Sequence, residues 1–339
     1  MQLPEPRGPL SEWLIVHLRA AGLPGVPSGP NGNGAAPEPV AVSDPLTDED
    51  LQLALYLSYE LHYRGFEELD PELEWDPGVL ALRARLERAF LSALVDAVPR
   101  RRGVEPGEVG GLLFDLAASD PGPSLSRYIG TSGTLEQIRE FVVHRSAYQL
   151  KEADPHSWAI PRLDGAAKAA LLEVQFDEYG SGQADRVHAH LFAQAMEALG
   201  LESAYGAYLE LIPGATLATV NLMSFFGLHR RWRGAIVGHL AMFEITSPEP
   251  NRRYANALRR LDHGEATPFF DEHVEADSVH EVLACDLAVE VATREPALAA
   301  DVVFGAKALA FLEDRFSAVL LGAWRTGTSA LFESNPVSP

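Results

Sequence analysis

The stretch Phe269–Glu290, FFDEHVEADSVHEVLACDLAVE, puts ionisable side chains where apolar ones are expected. At ~100° per residue in a helix, His273, Asp277 and His280 fall on one face with Ala284 and Leu287, bordered by Leu283. Glu272, Glu275, Asp286 and Glu290 point the other way, toward solvent. Burying two histidines and an aspartate without partners is costly, and a metal ion is a partner that both residue types serve. The same test picks out further inward groups. His188 lines up with Phe192, Ala195 and Leu199 in Ala184–Leu199, and Glu178 with Ala167, Leu171 and Val174 in Gly165–Tyr179, whereas Glu173 and Asp177 do not. Glu244 sits above Val237, Leu240 and Ala241 in Arg233–Thr246. Glu152 aligns with Ile138, Phe141 and Tyr148 in Leu135–Ala153, where Arg145 is an alternative ion-pair partner.

Any one of these is an ordinary satisfied core polar group; their co-occurrence points to chemistry. Four inward carboxylates (Glu152, Glu178, Glu244, Asp277) and three inward histidines (His188, His273, His280) come from five helices. Two ferrous ions carry four positive charges, which four carboxylates balance. Carboxylates bridge hard or borderline cations while imidazoles complete each coordination sphere. A core that excludes water but leaves coordination positions open suits binding and activation of O₂. Ferritin-like bundles use Glu-x-x-His pairs, and none occurs among these residues, so the expected scaffold is a different helical one. Glu178 and His188, ten residues apart, stand ~80° apart on an ideal helix. Gly180 and Gly182 between them predict a distorted turn or break that lets both reach one ion.

The elements that must position these residues are helices. From Thr134 onward nearly every segment has helical periodicity: the five above, plus Ser203–Leu211, Ala215–Leu228, Arg252–Leu261 and a C-terminal pair beyond Pro296. Upstream, a helix through LQLALYLSYELHYRGFEEL follows Asp48, and Val79–Val98 is amphipathic. Alternating β-branched runs and Asn-Gly hairpins are missing from the core, so the fold class is all-α, a bundle with short connections. Residues 1–44, one short apolar patch over Trp13–Leu23 followed by a Gly/Pro/Asn/Ala-rich run, are expected to be a flexible tail. The rest, 45–333, is expected to be one helical domain, with auxiliary helices over 45–127 and the core over 128–333. With 339 residues and 47% hydrophobic content the chain can bury a large core. A formal net charge of −21 disfavours nucleic acid and anionic membrane as partners. A single cysteine, Cys285, excludes an intramolecular disulfide and a Cys-rich zinc site. With no apolar run near ~18 residues and no basic-then-apolar leader, a cytoplasmic protein is expected.

LKEADPHSWAIPRL, LLEVQFDEYGSGQADRVHAHLF and FDEHVEADSVHE, in that order, resemble the haem-oxygenase-like di-iron oxidases, the iron-containing redox enzymes. The resemblance runs from about Tyr128 to the C-terminus, and YELHYRGF at Tyr59–Phe66 resembles an upstream segment of some members. It implies a haem-oxygenase-like bundle with additional N-terminal helices, and as metal ligands Glu152, Glu178, His188, Glu244, His273, Asp277 and His280. That set, with the extra His273, is similar to the members that oxygenate amine nitrogens. The implied reaction is O₂ activation by two Fe through a peroxo-di-ferric species, followed by N-oxygenation of an amine in a small metabolite. An external electron donor, protein or reductant, is expected because no flavin- or nicotinamide-binding glycine motif is present. The alternatives are a di-iron desaturase or oxidative C–C lyase on a fatty or amino acid and, from another class, a non-catalytic helical binding protein. Arg230, Arg231 and Arg233, in the one strong basic cluster of the core region, are candidates for holding a substrate carboxylate, beside a surface or interface role. The other partners expected are the small-molecule substrate and at most a second copy of the chain.

Overall fold

Four helices of this chain start under a side-chain oxygen that accepts from an otherwise orphaned backbone N–H group. Asp48 accepts from Leu51 N, Asp76 from Val79 N, Ser124 from Arg127 N and Thr134 from Gln137 N. The computed structural model describes residues 1–21, 37, 42–119 and 124–333, the side chains of 21 and 277–279 excepted. In chain order its helices are α1 Pro9–Ala21, α2 Glu49–Glu60, α3 Pro77–Ala97, α4 Val109–Ala118, α5 Leu125–Ser132, α6 Leu135–Gln149 and α7 Asp154–Ser157. There follow α8 Gly165–Glu178, α9 His188–Ala198, α10 Gly214–Leu228, α11 Arg233–Thr246, α12 Pro248–Arg260, α13 Pro268–Arg294 and α14 Ala299–Thr326. Among the described residues there is no strand, and the fold is the all-α haem-oxygenase-like bundle.

The bundle is organised on α11, which lies against both α14 and α13, while α8 packs on α13 and α10 on α2. Helices approach closely only where side chains are small, and here glycines face backbone. A Cβ at Gly238 would overlap the Val302 carbonyl, and one at Gly305 the Ala235 carbonyl. That reciprocal contact brings α11 and α14 together and, through α11, sets the depth of Glu244.

Four expectations are corrected. Residues 1–21 are not tail. Leu10, Leu14, Ile15 and Leu18 are buried. The start of α1 is capped by a distant carboxylate, with Leu10 N and Ser11 N donating to Asp50 at 2.8 and 2.7 Å. Arg7 donates to Glu49 and to the Ile212 carbonyl, both at 2.7 Å. The rest of the expected tail, 22–36 and 38–41, lies outside the described residues. The helix after Asp48 stops at Glu60, whose carbonyl accepts from Tyr63 N and Gly65 N in a turn that Gly65 closes at φ 64°. Ser203–Leu211 is not a helix, because Gly206 sits at φ 78°; only a 3-10 turn, Leu209–Leu211, forms. The C-terminal pair is the single helix α14, which carries no proline and ends at Gly327, φ 75°.

Gly238→Ala is expected to lower stability by about 3 kcal/mol, the upper end of overpacking penalties, because the obstructing atom is backbone. A fall in thermal midpoint of several degrees, far larger than for Gly322→Ala, whose added Cβ meets nothing within 4 Å, checks this; equal midpoints would contradict it.

Candidate metal centre

The candidate side chains are delivered from a turn, from two helix ends and from within two helices. Glu152 lies beyond the end of α6, in the turn Leu150–Ala153 that Ala153 reverses at φ 70°. Glu178 is the last residue of α8 and His188 the first of α9. The break expected between them is present: Gly180, Ser181 and Gly182 all have positive φ (72°, 52° and 82°), and two 3-10 turns lead into α9. A Cβ at Gly180 would overlap the backbone of Arg186 and Val187, so the chain can fold back only with glycine there. Glu244 comes from α11, and His273 and His280 from α13.

These residues form two buried groups that share one member. Ligand-type atoms of Glu152, Glu178, His188 and His273 all lie within 4.8 Å of one another, as do those of Glu178, Glu244 and His280. His188 Nδ1 is 2.9 Å from a Glu178 oxygen, His273 Nε2 3.4 Å from Glu152, and His280 Nδ1 3.5 Å from Glu244. Neighbouring ligands on an ion with bonds of ~2.1 Å stand ~3 Å apart, so these spacings fit a shared ion. The 2.9 Å contact of His188 Nδ1 with Glu178 Oε2 lacks hydrogen-bond alignment, and Glu152 Oε2, also buried, has no hydrogen-bond partner among the described residues. Buried oxygen and nitrogen lone pairs that meet at contact distance without a proton aligned between them suit a cation. The residues therefore fit a metal.

The rings are oriented from behind. His273 Nδ1 lies 2.8 Å from the Phe269 carbonyl, which makes it the protonated nitrogen and leaves Nε2 for the centre. His280 Nε2 lies 3.1 Å from Asp177, the carboxylate–histidine arrangement that orients metal-binding imidazoles. Burial alone would raise Glu178, but His188, His273 and His280 hold its carboxyl down at about 2. His188 is pushed up by Glu178 against its own burial, and His280 rises to about 9 through Glu244 and Asp177. Tyr148 is held well above the usual phenol value by burial and by the charges of Glu152, Glu178 and Glu244, so it stays protonated.

A cavity of about 1210 Å³ reaches the two groups from outside and is lined by Glu152, Glu178, Glu244 and His273. Its apolar wall near them includes Phe141, Phe192, Phe243 and Phe269. Six of the seven expected ligands thus meet, and the side chain of Asp277 lies outside the described residues. Arg145 does not take Glu152; it forms a two-pronged pair with Glu313 at 2.9 and 2.5 Å. Arg230, Arg231 and Arg233 do not line the cavity. Arg231 pairs with buried Asp301 at 2.6 Å, Arg233 pairs with Glu295, and Arg230 is exposed. These partners are remote in sequence, which is why the cluster read as free positive charge. Met223, Phe225 and Phe226, on α10, pack in the core. Asp177 was missed because its Cβ direction is off the inward face of α8, and its contact with His280 of α13 bridges 103 positions, so no local spacing signals it.

The fold and the site together define an oxidoreductase of the iron-binding, all-helical kind. The chain belongs to the family of iron-containing redox enzymes, whose profile matches residues 139–314, just over half of its 339 residues. It is also similar to a nitrosourea synthase of Streptomyces achromogenes subsp. streptozoticus, 27% identical over 204 residues, 59% of this chain and 43% of that protein. The chain therefore spans less than half the length of that relative. No helix among the described residues is long and apolar enough to cross a membrane.

The histidines that are not candidate ligands make a pH prediction. Burial pushes His144 down to about 3 and His156 to about 4, and His239, 3.1 Å from His156, lies well below the usual value. Each is neutral when folded and titrates near 6.5 when unfolded. Their folded values are depressed, so their stabilising contribution is present above pH 6.5 and is lost as pH falls toward 4. The loss is about 1.4 kcal/mol per pH unit per histidine. Between pH 6.5 and 5 carboxylates are nearly silent, so urea midpoints of the metal-free protein should fall across this window. The fall should be shallower in His144→Asn; a flat profile in the parent protein would contradict the assignment.

Proposed function

We propose that the chain is a di-iron N-oxygenase, with one iron held by Glu152, Glu178, His188 and His273 and the other by Glu178, Glu244 and His280. Asp277, one turn from both His273 and His280, completes the set. The observation that carries this reading is the sharing of Glu178 by both groups, since a carboxylate common to two ligand sets is how a protein holds two cations side by side. Four carboxylates balance the four charges of two ferrous ions, which offsets the cost of burying either set alone. Iron supplies the capacity to reduce O₂, which no protein side chain has.

The protein's own residues do the rest. The Phe269 carbonyl and the Asp177 carboxylate hold protons on the outer nitrogens of His273 and His280, keeping the inner nitrogens free to bind. Phe141, Phe192, Phe243 and Phe269 exclude water from the inner end of the cavity while leaving it open to a small substrate. Tyr148 keeps its phenolic proton beside the three glutamates. In the net reaction an amine and O₂, with two electrons and two protons, give a hydroxylamine and water. The electrons come from an external donor, protein or small reductant. Nitrogen as the site of oxygenation is supported by His273, which the resemblance associates with amine-oxygenating members. It is also supported by the printed name of the relative, because a nitrosourea carries an oxygen on nitrogen.

The test is aerobic turnover of the iron-loaded protein with ¹⁸O₂, a reductant and panels of amines and of fatty and amino acids. The expected product is an amine that gains one ¹⁸O on nitrogen. Loss of two hydrogens, or of a carbon fragment, from an acid would replace this reading with a desaturase or lyase. Glu178→Ala should abolish retention of both irons and lower turnover at least ~100-fold, beyond the 10–100-fold typical of outer partners.

A further inference from the structure

The segment YELHYRGF, at the end of α2, is distant in sequence from every candidate ligand yet ends next to one of them in space. Glu60 is fully buried, and its carboxylate accepts from Lys151 Nζ at 2.8 Å and from the Tyr205 hydroxyl at 2.8 and 2.7 Å. Lys151, only 1% exposed, stands over the rings of Tyr56 and Tyr63 at 4.7 and 4.4 Å. Arg64, from the same segment, donates to the Leu150 carbonyl at 3.2 Å and lies over the Tyr205 ring at 4.3 Å. Tyr63 in turn contacts Ser224 of α10 at 3.1 Å. Two consecutive residues of the turn beyond α6, Leu150 and Lys151, are thus held by the end of α2, and the next residue is Glu152.

A buried lysine–carboxylate pair is rarely kept for stability alone. The desolvation of both charges uses up most of the attraction, and an apolar pair of the same volume often serves as well. What such a pair supplies is geometry. Glu152 needs it, because it lies outside any helix, in a turn reversed by the positive φ of Ala153. The other side of that turn is held by Gln175 Nε2, which donates to the Ala153 carbonyl at 3.1 Å. The other ligands in the first group sit in or at the ends of helices and need no such anchor.

We propose that Glu60 is a positioning residue for the metal centre. Through Lys151, and braced by Tyr205, it sets the place of Glu152, so that the auxiliary helix α2 is required to form the Glu152–His188–His273 half of the site but not the Glu244–His280 half. This rests on the two-iron reading above. It gives the auxiliary helices a role in assembling one half of the centre.

The experiment is an anaerobic Fe(II) titration of the metal-free full-length chain, followed by calorimetry and by iron retained per chain after gel filtration. Parent protein, Glu60→Gln, Tyr205→Phe and, as a marker for the other half, Glu244→Gln are compared, with thermal midpoints recorded alongside. In the parent protein two binding steps are expected, one of them lost in Glu244→Gln. Glu60→Gln should weaken the remaining step at least tenfold and leave the Glu244-dependent step within twofold. Tyr205→Phe, which removes one hydroxyl and keeps the charge pair, should weaken the same step a few-fold with little change in midpoint. A purely structural role would lower the midpoint and weaken both steps alike, and that result overturns the proposal. So do parent-like steps in both variants, which leave the two-iron reading intact. Absence of any iron binding in the parent protein would instead remove the two-iron reading, and this inference with it.

Discussion

The constraint on which the structure depends is the burial of like charge. Glu152, Glu178 and Glu244 are each less than a tenth exposed and lie close enough to repel one another strongly. Three histidines offset part of that repulsion in the metal-free chain: against the burial of both groups, the Glu178 carboxyl is held near 2, chiefly by His188, and His280 near 9, chiefly by Glu244. A cation does the same work with shorter contacts and no proton. The rest of the bundle can be understood as the scaffolding this arrangement requires. The glycine contacts of α11 with α14 set the depth of Glu244, the glycine break after α8 brings His188 back against Glu178, and Phe269 and Asp177 hold two imidazoles in place.

Much of this was legible in the sequence, because helical periodicity converts residue spacing into direction. Six of the seven residues selected by direction alone lie in the two groups. The misfit of Glu178 and His188 on one ideal helix correctly called for a break at Gly180 and Gly182. Glu152 was placed on a helix that ends three residues earlier, at Gln149, yet the turn keeps it on the same face. Periodicity could say nothing of Asp177, which acts from the flank of α8 through contact with another helix. Nor could it show that Arg231 and Arg233 are neutralised by Asp301 and Glu295, 70 and 62 positions away.

The N-terminus shows the same limit from the other side. Residues 1–21 carry an apolar stripe of helical spacing, Leu10, Leu14, Ile15 and Leu18, but nothing local marks them as docked, because their cap is Asp50 and their anchors are Glu49 and the Ile212 carbonyl. Long-range partners decide what composition cannot. YELHYRGF is a similar case, since its residues have no evident task until Lys151 and Tyr205 are seen against Glu60. In each instance the physical reason for a residue lay in a contact across the fold.

The central claim, a pair of iron ions sharing Glu178, is tested most directly by anomalous X-ray diffraction at the iron edge from crystals loaded anaerobically. The account predicts two peaks on either side of the Glu178 carboxylate, one among Glu152, His188 and His273 and the other beside Glu244 and His280. A single peak, or iron bound anywhere other than against Glu178, would contradict it.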